Sequence, residues 1–379
     1  MICRLLLMCA LSLAICPQAQ AMPPPDRLAL LRHGVNLTNW LRYPTTLDPA
    51  SLRAYLSDTA ITDLRRAGFG FVRLAVQPEI LMDQGGLRPD RADLLLSVIH
   101  RLQRAGLGVV IAPHPSAWHL ESDPAALTQF WYAVAPVLAG TDPRRTFPEV
   151  LNEPVFPQDP AGWGALQAAV AAQIRAALPG HTIILTGQDW GSLSGLLALR
   201  PIADPNVVYS LHFYDPAELT ALAAYRPGLD TAALARLPFP MNPQACAPMA
   251  ATTDPATAAL IRFVCAMAWD SGKLHAAFAQ AGAWGRSNHA ALLLGEFGAT
   301  IRLNPAARLA WLTDVRIAAE HEGIGWALWG YDDGMGFGIP RPPPARPVLN
   351  PDLLRALGLA AAPSRDEPVP AAVHQRSGP

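Results

Sequence analysis

Two glutamates stand where apolar segments end. Glu153 closes Glu149-Val150-Leu151-Asn152 just before Pro154, and Glu296 follows Leu292-Leu293-Leu294-Gly295. A carboxylate in such a place is costly unless it has partners or a task. Either one alone could be balanced by a salt bridge to Arg73. Two at one mouth can instead split a glycosidic bond: one carboxyl gives its proton to the leaving oxygen, and the other attacks the anomeric carbon or activates water. Other polar groups sit at comparable ends. Arg73 lies in Phe71–Val76, His114 ends Gly108–His114, and Asn152 precedes Glu153. His212 and Tyr214 are two apart and so lie on one side of a strand. Trp326 and Trp329, followed by Tyr331, mark the last run.

These ends need elements to carry them. Eight short runs recur: His33–Trp40, Phe71–Val76, Gly108–His114, Glu149–Pro154, Thr182–Gly187, Val207–Tyr214, Ala291–Gly298 and Gly323–Tyr331. Most are almost continuously apolar and bounded by Gly or Pro, as strands buried on both faces are. Between them lie segments with helical spacing: Ser51–Gly68, Asp90–Gly106, Pro124–Ala139, Trp163–Leu178, Leu260–Gly282 and Pro305–Gly323. In Asp90–Gly106, Leu95, Val98, Ile99 and Leu102 form one stripe, while Arg101 and Arg104 face away. The alternation predicts an α/β fold, a single-domain (β/α)8 TIM barrel, whose chemistry gathers at the C-terminal ends of the strands. An open doubly wound sheet is the competitor, but no Gly-rich dinucleotide fingerprint follows the first strand.

The composition bounds the partners. The 379 residues are 51% hydrophobic and 16% charged, with 29 basic residues against 30 acidic. That balance removes the electrostatic case for nucleic acid or a polybasic membrane surface. Residues 1–21 read as a secretory signal peptide: a short basic start with Arg4, the apolar run Leu5–Ile15, and the small-x-small site Ala19-Gln20-Ala21. The apolar run is too short to span a bilayer. Leu13-Ala14-Ile15-Cys16 approaches a lipoprotein box, but Ile15 stands where a small residue is needed. The expected location is therefore periplasmic or extracellular. In an exported chain Cys246 and Cys265 could form one disulfide or remain two buried thiols. Pro238–Pro255 reads as a long loop, residues 22–358 as the barrel domain, and 359–379 as a flexible Pro/Ala-rich tail.

Here the residues resemble a known family. His33-Gly-Val-Asn-Leu-Thr-Asn-Trp-Leu41, Gly68-Phe-Gly-Phe-Val-Arg-Leu74, Leu151-Asn-Glu-Pro154, His212-Phe-Tyr214, Gly295-Glu-Phe-Gly298 and Trp329 occur in the order seen in glycoside hydrolase family 5, the cellulase family. The resemblance implies Glu153 as general acid/base and Glu296 as nucleophile of a retaining double displacement. It implies that Asn152 bonds the sugar 2-hydroxyl and that Arg73 and Tyr214 hold Glu296 ionised. It places His212 beside Glu153 and makes Trp329 the floor of the sugar subsite on the non-reducing side. The chain departs from the family after its third strand. In Val110-Ile-Ala-Pro-His-Pro115, Ala112 and Pro115 stand where the family has an Asp and a second His. His114 is kept as a substrate contact. The preferred sugar is therefore the open question.

Trp40, Trp118, Trp190 and Trp329 fall at loop or strand-end positions and are candidate stacking platforms for pyranose rings. Trp131, Trp163, Trp269 and Trp311 lie in helical segments and are assigned to packing. Gln188 and Asp189 could bond sugar hydroxyls. Asp332 and Asp333 read rather as a solvated acidic loop. The expected function is an endo-β-1,4-glucanase acting as a monomer on a β-linked polysaccharide or oligosaccharide, with no cofactor and no metal. Exo-β-1,3-glucanase or β-mannanase action is the alternative within the family. A non-catalytic glycan-binding barrel, and a metal-dependent hydrolase using His114, His119, His212 and Asp332, are the rivals from other classes. The metal reading lacks a His-Glu-x-x-His or Cys-rich pattern.

Overall fold

The computed structural model describes residues 22–84, 86–116 and 124–359. The leader, Trp118, His119 and the tail beyond Leu359 lie outside the described residues. Eight parallel strands form one sheet: β1 His33–Leu41, β2 Phe71–Val76, β3 Gly108–Pro113, β4 Thr146–Pro148, β5 Ile183–Thr186, β6 Val207–Phe213, β7 Ala291–Phe297 and β8 Gly325–Leu328. Their order is β4-β3-β2-β1-β8-β7-β6-β5. A parallel bridge between Glu149 and Ile184 links the two ends, so the sheet nearly closes into a barrel. All six residues of β2, all six of β3 and all seven of β6 are buried, which is why they read as unbroken apolar runs.

Inside the barrel the period-2 alternation stacks side chains in layers. Phe71, Val110, Phe147, Ile184, Val208, Leu293 and Ala327, one from each of seven strands, form an apolar plug with Leu31 beneath it. Two residues further along the same strands stand Arg73, Ala112, Glu149, Thr186, Ser210, Gly295 and Trp329. The lower layer excludes water and the upper one carries the polar groups. A second, larger apolar cluster fills the space between strands and helices, with Trp131, Trp163 and Trp311 fully buried in it, as expected for packing residues. Trp269 lies instead in the linker between two helices.

Several boundaries differ from the sequence expectation, each for a local reason. The fourth strand ends at Pro148, and Glu149 to Pro154 form the turn that follows it. Ser51–Gly68 is two helices, Pro49–Ala54 and Asp58–Arg66; Ser57 caps the second by accepting from Ala60 N at 3.0 Å. Leu260–Gly282 likewise spans two, Pro255–Ala266 and Ser271–Ser287, with Asp270 capping the latter through Lys273 N at 2.9 Å. The expected loop Pro238–Pro255 contains the helix Pro243–Ala250, capped by Asn242. Pro243 and Pro255 are first-turn residues, where a missing N–H costs nothing. Cys246 and Cys265, one on each neighbouring helix, are joined in a disulfide. Among the described residues no helix is long and apolar enough to cross a membrane.

Candidate active site

Arg73 organises the barrel mouth. It is fully buried, with Nε and Nη2 donating to Glu149 Oε2 and Oε1 at 2.7 Å each. Nη1 donates to Asn36 Oδ1 at 2.9 Å and to Glu296 Oε1 at 2.5 Å, and Nη2 also reaches Asn152 Oδ1 at 2.9 Å. Burial alone would weaken the guanidinium's hold on its proton, but Glu149 and Glu296 more than offset this and raise its pKa. Asn36 is pinned in turn by donating to Gly295 O at 3.1 Å and Leu328 O at 3.2 Å. Sequence reasoning passed over Glu149 and Asn36. The signal for Glu149 was its place two residues after Phe147, which directs it inward at the polar layer.

Glu296 is held from two sides. Its Oε1 receives Arg73, and its Oε2 accepts from Tyr214 Oη at 2.9 Å. Burial first, and Glu296 next, push the Tyr214 phenol far above its usual value, so it stays a donor. The β6–β7 register slips between Leu211 and His212, and this pairs His212 with Glu296 rather than Gly295. A one-residue slip reverses which face a side chain occupies. His212 Nδ1 consequently lies 2.9 Å from Glu153 Oε1 and 3.6 Å from Glu296 Oε2. Burial lowers the imidazole pKa, but Glu296 and Glu153 outweigh it and leave His212 raised.

Glu153 is a quarter exposed and has φ 43°, a backbone conformation costly for a residue with a Cβ. Asn152 N donates to Pro113 O at 3.0 Å, and Pro154 O accepts from Trp190 N at 3.2 Å, so bonds on both sides hold the turn. One oxygen of Glu153, one of Glu296 and a ring nitrogen of His212 lie within 4.8 Å of one another. These three could offer ligands to a metal ion, but Arg73 already places a cation on Glu296. The group places a carboxyl hydrogen-bonded to an imidazole beside a second carboxyl held by a cation.

The remaining expected residues divide. His114 is buried and stacked on Trp329, with centroids 5.6 Å apart and planes at 26°. Burial, and then Arg73, hold its pKa well below the usual range, so it faces the site neutral. Trp190 is 62% exposed on a loop where Asp189, Trp190 and Gly191 have φ of 61°, 59° and 66°. Gly191 accepts from His212 N at 2.8 Å, which ties this platform to the site. Asp189 is occupied by the hydroxyls of Ser192 and Ser194 at 3.0 and 2.9 Å.

Two expectations are corrected. Trp40 is not a platform: it is fully buried, stacks on Tyr55, and donates from Nε1 to Leu52 O. An irregularity in the β1–β2 pairing between Leu37 and Leu41 turns it into the helix layer. Asp332 is not on a solvated loop. It is buried, accepts from Thr38 N at 2.9 Å and from Asn39 N, and receives the Tyr55 hydroxyl. It therefore ties β1 to the segment after β8.

The model of the family described as cellulase (glycosyl hydrolase family 5) matches residues 33–334. Endoglucanase 3 of Fibrobacter succinogenes is 25% identical over 329 residues, covering 79% of this chain and 49% of that protein. Endoglucanase C of Acetivibrio thermocellus is 24% identical over 207 residues, or 51% and 60% of the two chains. The chain thus spans about half the length of the first of these relatives and three-fifths of the second. Among solved structures, an endoglucanase from the hyperthermophilic Thermotoga maritima superposes with a TM-score of 0.71 at 23% identity, covering 89% of this chain and 100% of that one. The clostridial cellulose synthase subunit Z from Clostridioides difficile gives 0.69 at 21%, covering 86% and 99%. At these identities the likeness concerns the fold.

Proposed function

The chain belongs to the cellulase family, glycosyl hydrolase family 5, and from that premise we propose that it is a retaining endo-β-1,4-glucanase with Glu153 as acid/base and Glu296 as nucleophile. The observation that carries the reading is the close grouping of Glu153, His212 and Glu296 around Arg73. One oxygen of Glu153 and one of Glu296 lie within 4.8 Å of one another, a close approach in keeping with direct attack, for which the carboxyl groups stand about 5–5.5 Å apart.

In this mechanism Arg73 and Tyr214 donate to Glu296 and hold it aimed at the anomeric carbon. Glu153 donates its proton to the departing oxygen as the Glu296 ester forms, and then takes a proton from the water that hydrolyses that ester. His212 bonds Glu153 and shares its proton. Asn152, fixed by Arg73, supports the 2-hydroxyl, where contacts strengthen in the transition state. Trp329 with His114 forms the floor on the non-reducing side, and exposed Trp190 stacks the leaving portion of the chain. The Cys246–Cys265 bond supports export to an oxidising compartment.

The test is a panel of carboxymethylcellulose, laminarin, mannan and xyloglucan, read by product length and by the anomer first released. Shortened β-1,4-glucan products in the β configuration are expected. Glu153→Gln and Glu296→Gln should each lose about 10²–10⁴ in rate. Full activity in both variants would reject the assignment. Cleavage of laminarin alone, or mannan alone, would move the substrate to the exo-β-1,3-glucanase or β-mannanase reading.

A further inference from the structure

We infer that the rim of the cleft beside Trp329 takes an acidic glycan, a β-glucan residue bearing a carboxylate, through Arg42 and Arg341. The inference rests on the glycosidase reading above and specifies its substrate. Arg42 follows β1 at the mouth. Its guanidinium carbon lies 4.6 Å from the Tyr43 ring centroid and 5.3 Å from that of Trp329. Arg341 shares with Tyr43 a cavity of about 410 Å³, also lined by Asn39, Ile301 and Asp333. The track from Glu296 outward therefore runs over Trp329, Arg42 and Tyr43 to Arg341.

Among the described residues neither arginine has an ion-pair partner: Arg42 rests on aromatic faces, and Arg341 donates to the neutral Asn39 Oδ1 at 2.8 Å. Asp332 also borders the cavity, and its carboxylate accepts from Thr38 N, Asn39 N and Tyr55 rather than from either arginine. Asp333 lines the same cavity as Arg341 and accepts from Met335 N at 2.8 Å. Neutral sugars present hydroxyls, which need no charge. A planar guanidinium fork matches a carboxylate bidentately. A cation parked on aromatic rings is held weakly in water-exposed sites. A sugar stacking on Trp329 must move Arg42 aside, and a carboxylate on that sugar, or on the one beyond it, supplies the guanidinium with a new partner.

The experiment is internal competition between cellotetraose and cellotetraose oxidised to a carboxylate at C6 of its non-reducing end. The ratio of kcat/KM is read from both substrates in one tube, so it is independent of how much variant folds. Wild type should favour the oxidised tetramer by about fivefold. Arg42→Gln and Arg341→Gln should each lower that ratio, Arg42→Lys should keep part of it, and added salt should reduce it in wild type. A wild-type preference for the neutral tetramer, or a ratio that Arg42→Gln leaves unchanged, would overturn the inference while leaving the glucanase reading intact. Cleavage of neither tetramer would instead reject that underlying reading, and this one with it.

Discussion

Arg73 and Glu149 form a bidentate pair, Nε to Oε2 and Nη2 to Oε1 at 2.7 Å each, sealed from water beside Glu296. The pair fixes the plane of the guanidinium, and only one edge remains to reach Glu296 and Asn36. Glu149 thus orients Arg73 and takes up part of the charge that would otherwise fall on Glu296 alone.

Removing one partner of a buried ion pair costs up to about 3–5 kcal/mol, and here the loss is tempered because Arg73 keeps Glu296. Glu149→Gln keeps the shape but sets an amide N–H₂ against a guanidinium N–H. A fall of that order in unfolding free energy is expected by denaturant titration, with loss of activity in the fraction still folded. A variant of wild-type stability and rate would show that Glu149 does not position Arg73.

The two glutamates can be told apart by stereochemistry. In Glu296→Gly a small anion such as azide can replace the nucleophile and attack from the same face, giving the α-glycosyl azide from an activated substrate. In Glu153→Ala the glycosyl-enzyme still forms, and azide intercepts it to give the β-glycosyl azide. Product NMR reads the outcome, and exchanged anomers would exchange the two roles.

Glu153 and His212 share a hydrogen bond, and Glu296 and Glu153 together raise the His212 imidazole. The productive form of the pair carries one proton. Because His212 is raised above the ordinary imidazole value, that proton should be lost on the alkaline side of about pH 6.5. The basic limb of kcat/KM should therefore lie above this pH. His212→Asn should move it, because the raised imidazole is gone. A basic limb unmoved by His212→Asn would separate His212 from the acid function.

His181, near the lower end of β5, has its pKa depressed to about 4, first by burial and then by Arg27 and Arg175. The unfolded imidazole titrates near 6.5, so between these values the unfolded chain binds the extra proton. The stability this group contributes is present above about pH 6.5 and is lost as pH falls toward 4. The slope is at most about 1.4 kcal/mol per pH unit. Urea midpoints across that range should fall in wild type and fall less steeply in His181→Phe.

Much of the barrel was legible because β2, β3, β6 and β7 are covered on both faces and have to be written in Val, Ile, Leu and Phe. Phe71–Val76 was delimited to the residue. Where a strand is short, as Thr146–Pro148 is, the run that stands out is the turn after it, and the boundary slips. Cap residues misled in the same way: Ser57, Asn242 and Asp270 start helices inside segments that read as one helix or one loop. Glu153 and Glu296 were legible because a lone carboxylate after an apolar run is expensive. Glu149 was just as expensive but stood at the head of its run and passed for a boundary.

The sequence by itself determined the alternation of strand and helix, the inventory of polar strand ends, and the pair of carboxyls. These follow from local periodicity and from the cost of burying charge. Tertiary structure alone decided which groups meet. The slip at Leu211/His212 set His212 opposite Glu296, and the irregularity between Leu37 and Leu41 took Trp40 out of the cleft. Closure of the sheet brought Arg73 between Glu149 and Glu296, residues 76 and 223 positions away along the chain. Register and closure depend on how all eight strands pair, and no short window of residues carries that information.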